Sequence, residues 1–163
     1  MGYLTVTSET GFFHAVCLLE IGQHTQAWYG FKPKQHRSPY GPGHIDTSNR
    51  EENINHYARF EVKDVTLKAA IKKIVEGKYK NTEYVGSVVD CVTFAADMAG
   101  ACGLKLPYIP YAYVLPGLLS FVVARALLPG ELVAKLALFN RYVALDKKPY
   151  PWRSTGKKAP VKK

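Results

Sequence analysis

Val88-Val89-Asp90-Cys91-Val92-Thr93-Phe94-Ala95-Ala96-Asp97-Met98-Ala99-Gly100-Ala101-Cys102-Gly103 is the stretch on which the reading of this chain turns. A short β-branched run stops at Asp90, a residue type that caps helices. An Ala- and Met-rich helical pattern then runs to Gly103, a residue suited to the position just past a helix end. Cys91 therefore falls in the first turn. There the unpaired N–H groups and the positive end of the helix dipole favour a thiolate over a thiol. The spacing of Cys91 and Cys102 on one helix puts them about 16 Å apart along its axis, too far to bridge.

Upstream, Gly11-Phe12-Phe13-His14-Ala15-Val16-Cys17-Leu18-Leu19-Glu20-Ile21-Gly22 reads as a largely buried strand bounded by glycines. Alternation puts Phe12, His14, Val16 and Leu18 on one face, and Phe13, Ala15, Cys17 and Leu19 on the other. Gln23-His24-Thr25 suits a hairpin turn, and residues 26–31 a returning strand. Residues 32–55, rich in Pro, Gly, Ser, Asn and charge, read as a long loop. Residues 56–62 alternate as a third strand. Asp64 is placed to cap a helix over 65–76 that ends at Gly77. The apolar region 108–145 reads as a buried helix pair, 117–128 and 130–143. Pro116, Arg125 and Pro129 interrupt it too often for a transmembrane span.

With 163 residues and 47% apolar content the chain suffices for one domain, assigned to residues 1–146. The net charge of +9 is concentrated after residue 146, where seven Lys and Arg meet no acid. Residues 1–146 carry fifteen Lys and Arg against thirteen Asp and Glu, about +2. Residues 147–163 thus read as a basic flexible tail, and the charge gives no nucleic-acid-binding face. Three cysteines without a CxxC spacing suggest thiols kept in a reducing compartment. The N-terminus lacks the features of a signal peptide, so synthesis in the cytoplasm is expected, with export left to a dedicated secretion system. No cofactor or metal is expected. His44, Asp46 and His56 fit no standard metal spacing.

Nucleophilic catalysis by cysteine needs a low-pKa thiolate with an imidazole in reach. Cys17 lies mid-strand and Cys102 at a helix C-terminus, where the dipole disfavours negative charge, which leaves Cys91. Among the histidines, His24, His36, His44 and His56 fall in turns, loops or at a strand start, whereas His14 lies in an apolar strand and needs a polar partner. Cys91 and His14 are the candidate catalytic pair.

The pieces Phe13-His14-Ala15, Trp28-Tyr29-Gly30-Phe31-Lys32-Pro33, Ser38-Pro39-Tyr40-Gly41-Pro42-Gly43, Tyr57-Ala58-Arg59-Phe60-Glu61-Val62 and Asp90-Cys91-Val92-Thr93-Phe94 follow one another in a telling order. This order resembles the circularly permuted branch of the papain-like NlpC/P60 superfamily, in which the His strand precedes the Cys helix. The resemblance spans roughly residues 11–107. It implies an α+β fold, an antiparallel sheet packed against the helix that bears the nucleophile. It also implies a cysteine amidase or peptidase, similar to antibacterial effectors delivered by type VI secretion. Such an effector would act on peptide or peptidoglycan substrates, with a cognate immunity protein as partner, and the tail would suit an anionic cell envelope. The family commonly has Asn before the Cys, where this chain has Asp90. A third, imidazole-orienting residue is expected on the strand after the His strand, with Gln26 the candidate and His24 behind it. Two alternatives stand beside this: a lecithin:retinol acyltransferase-like lipid enzyme, whose Asn-Cys-x-x-Phe helix start resembles Asp90–Phe94, and a non-enzymatic partner-binding module.

Overall fold

Residues 15–21 are apolar at every position but Glu20, and the strand they form is buried on both faces, with Ala15, Val16, Cys17, Leu18 and Leu19 all 0–1% exposed. A strand without polar alternation belongs in the interior of a sheet, and this one does. The computed structural model describes residues 1–9, 14–23, 25–86, 88–107 and 128–146. Their elements are β1 (Gly2–Glu9), β2 (Ala15–Ile21), β3 (Thr25–Pro33), β4 (Tyr40–Asp46), β5 (Ile54–Val62), α1 (Asp64–Ala70), β6 (Glu83–Val85), α2 (Cys91–Ala101), α3 (Pro129–Phe139) and β7 (Ala144–Leu145). Helix α1 continues as a π-helical segment over Ile71–Lys78.

The fold is α+β, as expected. Seven strands form one sheet in the order β6-β4-β3-β2-β1-β5-β7, every pairing antiparallel. Cys17 pairs with Val6 on one side and Tyr29 on the other. This register sorts the side chains into two sets. Leu4, Val6, Ala15, Cys17, Leu19, Phe31, Ala58 and Phe60 share a core with Leu67 of α1, Phe94 and Met98 of α2, and Leu132 and Leu136 of α3. The second face carries a smaller cluster of Val16, Leu18, Trp28, Ile54, Tyr57 and Ala144, with no helical member among the described residues.

Several boundaries differ from the sequence reading. β1 was not anticipated, because the alternation of Tyr3, Thr5, Thr7 and Glu9 puts polar residues on a face that is nonetheless largely buried. The expected loop 32–55 contains β4 and a 3₁₀ turn at Glu51–Asn53. Asp64 is not a cap. Lys63 holds that position, and the Asp64 carboxylate instead accepts from the Gly22 N–H and the N-terminal ammonium, 3.3 Å each. The expected helix 130–143 stops at Phe139 and gives way to β7. The expected helix 117–128 falls, save its last residue, outside the described residues, as do the tail 147–163, Phe12, Phe13 and His24. Among the described residues no helix is long and apolar enough to cross a membrane.

Candidate functional site

Helix α2 starts where the sequence placed it. Asp90 is its N-cap, and one carboxylate oxygen accepts from the N–H groups of Val92 and Thr93, 3.0 Å each. Thr93 completes a capping box, its hydroxyl accepting from the Asp90 N–H at 3.4 Å and donating to the Val88 carbonyl at 2.9 Å. The Asp90 carboxylate is thereby engaged in holding the helix start. Cys91 is the first helical residue and is 3% exposed. At the other end of α2 the chain leaves through Gly103 at φ +84°, a conformation in which a Cβ would be strained.

The three thiols are unequal. Burial, with a lesser contribution from Cys102, pushes the Cys17 thiol far up. Burial likewise pushes Cys102 up to about 12. Neither ionises near neutral pH. No disulfide joins the three.

His14 lies immediately before β2, and the sheet stands between it and the core that holds Cys91. A Cβ on Gly30 would sit 3.2 Å from His14 Nε2 and 3.5 Å from Val16 Cγ2, so the ring lies over β3 on the Val16 face. Gly30 is the residue that permits this approach. Cys91 belongs to the core that holds Cys17 and Phe31, on the opposite face. The described geometry therefore does not bring the expected pair together. The parity assigned to His14 from the sequence is correct; the helix lies on the other side.

Gln26 shares the His14 face but sits at the wrong end of it. It pairs with Glu20 across β2–β3 and donates to Glu20 Oε1 at 3.2 Å. Six residues along β2 separate Glu20 from His14, about 20 Å of strand. Continuing the same register puts Lys32 opposite His14. Gln26 is thus not the orienting residue, and His24 lies outside the described residues. His44 on β4 and His56 on β5 are separated by three intervening strands, which disposes of their shared metal site with Asp46. Among the described residues no three His, Cys, Asp or Glu side chains group as metal ligands.

What surrounds His14 instead is a set of charged residues drawn from three directions. Glu9, at the end of β1, receives two hydrogen bonds from Arg50, at 2.5 and 2.6 Å. Lys32 on β3 donates to Asp46 on β4. Burial draws the His14 pKa down to about 4, Glu9 and Asp46 opposing and Lys32 and Arg50 reinforcing. His14 is 7% exposed, and its Nε2 has no hydrogen-bond partner among the described residues. The ring is a neutral imidazole held between two ion pairs. Burial works against ionisation of Asp46, but hydrogen bonds from Lys32 and Ser48 outweigh it and hold that carboxyl at about 2. Glu9, Lys32, Asp46 and Arg50 were not singled out from the sequence. The one available signal was the hairpin register, which puts Lys32 across from His14.

Two surface cavities lie elsewhere. One of about 800 Å³ runs between the end of β1, the start of β5 and the first turns of α3, with Ser8, His56, Pro129 and Asp146 in its walls. A smaller one of about 360 Å³ is lined by His44, Val75 and Lys80. Neither is lined by Cys91 or His14. No family model, curated protein or solved structure matches the chain.

Proposed function

We propose that the chain is a cysteine hydrolase of the circularly permuted papain-like kind, with Cys91 as its nucleophile and a peptide amide as its substrate. The observation that carries this reading is the position of Cys91 as first residue of a capped helix laid against an antiparallel sheet. The other two thiols are held protonated by burial. The capping bonds also weaken the objection to Asp90, whose charge is partly offset by two backbone N–H groups.

In the reaction the Cys91 sulfur attacks the carbonyl carbon as the C–N bond breaks. A proton passes to the leaving amine, and water then cleaves the thioester. The positive end of the α2 dipole favours the charge of the tetrahedral oxyanion. The resemblance gives the proton transfers to His14. On the described faces His14 serves a different cluster, and reaching Cys91 would require it to enter β2 with the opposite parity, the change a one-residue slip produces.

The test is hydrolysis of purified muropeptides and peptides set beside phospholipid vesicles. Amine release that disappears in Cys91→Ala but persists in Cys17→Ala and Cys102→Ala is the expected result. Full activity in a folded Cys91→Ala chain discards the nucleophile. Release of fatty acid or lysolipid moves the reading to the acyltransferase-like alternative. The non-enzymatic alternative has its own support in the 3% exposure of Cys91. It predicts a Cys91 alkylation profile with an apparent pKa near the free-thiol value of about 8.5.

A further inference from the structure

The groove beneath the start of α3 brings together a serine, a histidine and an aspartate from neighbouring strands. Ser8 is on β1, His56 on β5, and Asp146 directly follows β7; the sheet order β1-β5-β7 puts the histidine in the middle. Ser8 and His56 are direct cross-strand partners, a relation that holds Cβ atoms about 4.5–5.5 Å apart. His56 turns Nδ1 toward Asp146 Oδ2 at 3.3 Å. Asp146 is itself pinned, its Oδ1 accepting from the Tyr57 N–H at 2.8 Å and its own N–H donating to the Tyr57 carbonyl at 3.1 Å.

The other edge of the ring faces α3. A Cβ on Gly130 would lie 3.6 Å from His56 Cδ2 and 3.8 Å from Ser8 Oγ, so the hydroxyl and the ring edge that carries Nε2 converge on one point. Ser8 is 4% exposed, lines the groove, and makes no side-chain hydrogen bond among the described residues. Two carboxylates also line the groove and both are committed: Glu9 to Arg50, and Glu131 to the Leu128 N–H at 3.0 Å. Apart from Asn55, the remaining wall is apolar, from residues such as Leu128, Val133 and Leu145.

We infer that this groove is a second, serine-based hydrolytic site for carboxylic esters with an apolar acyl chain. Ser8 is its nucleophile, His56 its base, and Asp146 the residue that positions the ring. Ser8 Oγ bonds to the ester carbonyl carbon as the bond to the alcohol oxygen breaks. His56 Nε2 takes the Ser8 proton and returns it to the departing alcohol. Water then attacks the acyl-serine, giving its proton to His56, which restores it to Ser8 Oγ. The N–H groups of Gly130 and Glu131, in the first turn of α3, have no acceptor within the helix and serve the oxyanion. The site shares no residue with the Cys91 proposal.

The experiment uses the full chain carrying Cys91→Ala, so that no thiol chemistry at that residue contributes. It is incubated with p-nitrophenyl butyrate and, separately, with a tagged fluorophosphonate, and labelled peptides are identified by mass spectrometry. Expected are p-nitrophenol release and a label on Ser8, both lost in Ser8→Ala and slowed at least about 100-fold in His56→Ala. Asp146→Asn should slow labelling, with partial recovery in Asp146→Glu. His56 is half exposed, so its replacement removes little packing and that arm reports even where Ser8→Ala loosens the sheet. A folded chain that takes no label at Ser8 overturns the inference. So does labelling of Ser8 that continues at an unchanged rate in His56→Ala.

Discussion

The two faces of the sheet bury themselves by different means. The helical face is apolar except where Ser8 and His56 meet the start of α3, and is closed by Leu67, Phe94, Met98, Leu132 and Leu136 from three helices. The opposite face has an apolar middle, Val16, Leu18, Trp28 and Tyr57, between two charged ends. At one end Arg59 pairs with Glu20 at 2.8 Å and lies 3.9 Å over the Tyr3 ring. At the other, His14 sits among Glu9, Arg50, Lys32 and Asp46. The lesson is one of parity. Cys91 and His14 follow one another in the order a catalytic pair would, yet one residue of strand alternation decides which face an imidazole joins.

The largest expected effect tests the helical face. Phe94 is fully buried, 5.0 Å from the Tyr79 ring in an edge-on contact and 6.4 Å from Phe31. Phe94→Ala removes the centre of that aromatic group and should cost about 3–5 kcal/mol, read as a fall in the urea midpoint. A loss under about 1 kcal/mol would mean that α2 is not seated on this face as described.

The second effect tests the charged end. The folded-state pKa of His14, about 4, lies below its unfolded value of 6.5. The folded chain therefore binds this proton less readily than the unfolded one. The His14 contribution is complete above pH 6.5, erodes as pH falls through the window to 4, and is flat below it. The difference between wild type and His14→Gln should thus shrink by roughly 2–3 kcal/mol between pH 7 and pH 4.5. Asp46, held at about 2, adds its own loss below that window. Were His14 instead paired with a Cys91 thiolate, its pKa would be raised and the slope would reverse, stability falling as pH rises past 6.5. Direction alone decides which face holds the ring.

The same comparison can be read from the sulfur. If the faces are as described, His14→Ala leaves the pH profile of Cys91 alkylation unchanged, because the ring and the sulfur lie on opposite sides of the sheet. If the imidazole reaches the sulfur, the variant raises the apparent thiol pKa by about a unit or more. Peptide-resolved mass spectrometry separates Cys91 from Cys17 and Cys102 without further substitution.

How much of this was legible follows from where the signals lie. Asp90, Cys91 and Gly103 announce a helix through local capping and C-terminal chemistry, and the structure agrees to within a residue. The parity of His14 was legible because Ala15 to Leu19 alternate in place. What the sequence could not disclose is which face receives α2, since Val16, Leu18, Cys17 and Leu19 are equally apolar. β4 was hidden by its Gly41-Pro42-Gly43 centre, which reads as loop, although the Pro42 carbonyl accepts from the Lys34 N–H at 2.8 Å. Glu9, Arg50 and Asp46 come together through pairings over as many as 41 residues of chain, which no local pattern encodes. The groove of Ser8, His56 and Asp146 is less local still, its Asp contacting β5 across 90 residues.

The smallest expected effect concerns the cap on which the Cys91 proposal depends. Asp90→Ala removes the acceptor of two N–H bonds and should cost about 1 kcal/mol. Asp90→Asn keeps a side-chain oxygen in the same place and should cost a few tenths. The two differ more sharply at the sulfur. Asn removes a carboxylate charge one residue from Cys91 while preserving the helix start, so its Cys91 should ionise at a lower pH than in wild type. Ala removes that charge together with the bonds that fix the start of the helix. A Cys91 profile that drops in Asp90→Asn but not in Asp90→Ala makes the ordered helix start the source of the thiolate. Equal drops in both make the neighbouring carboxylate the controlling group and reduce the capping box to a structural device.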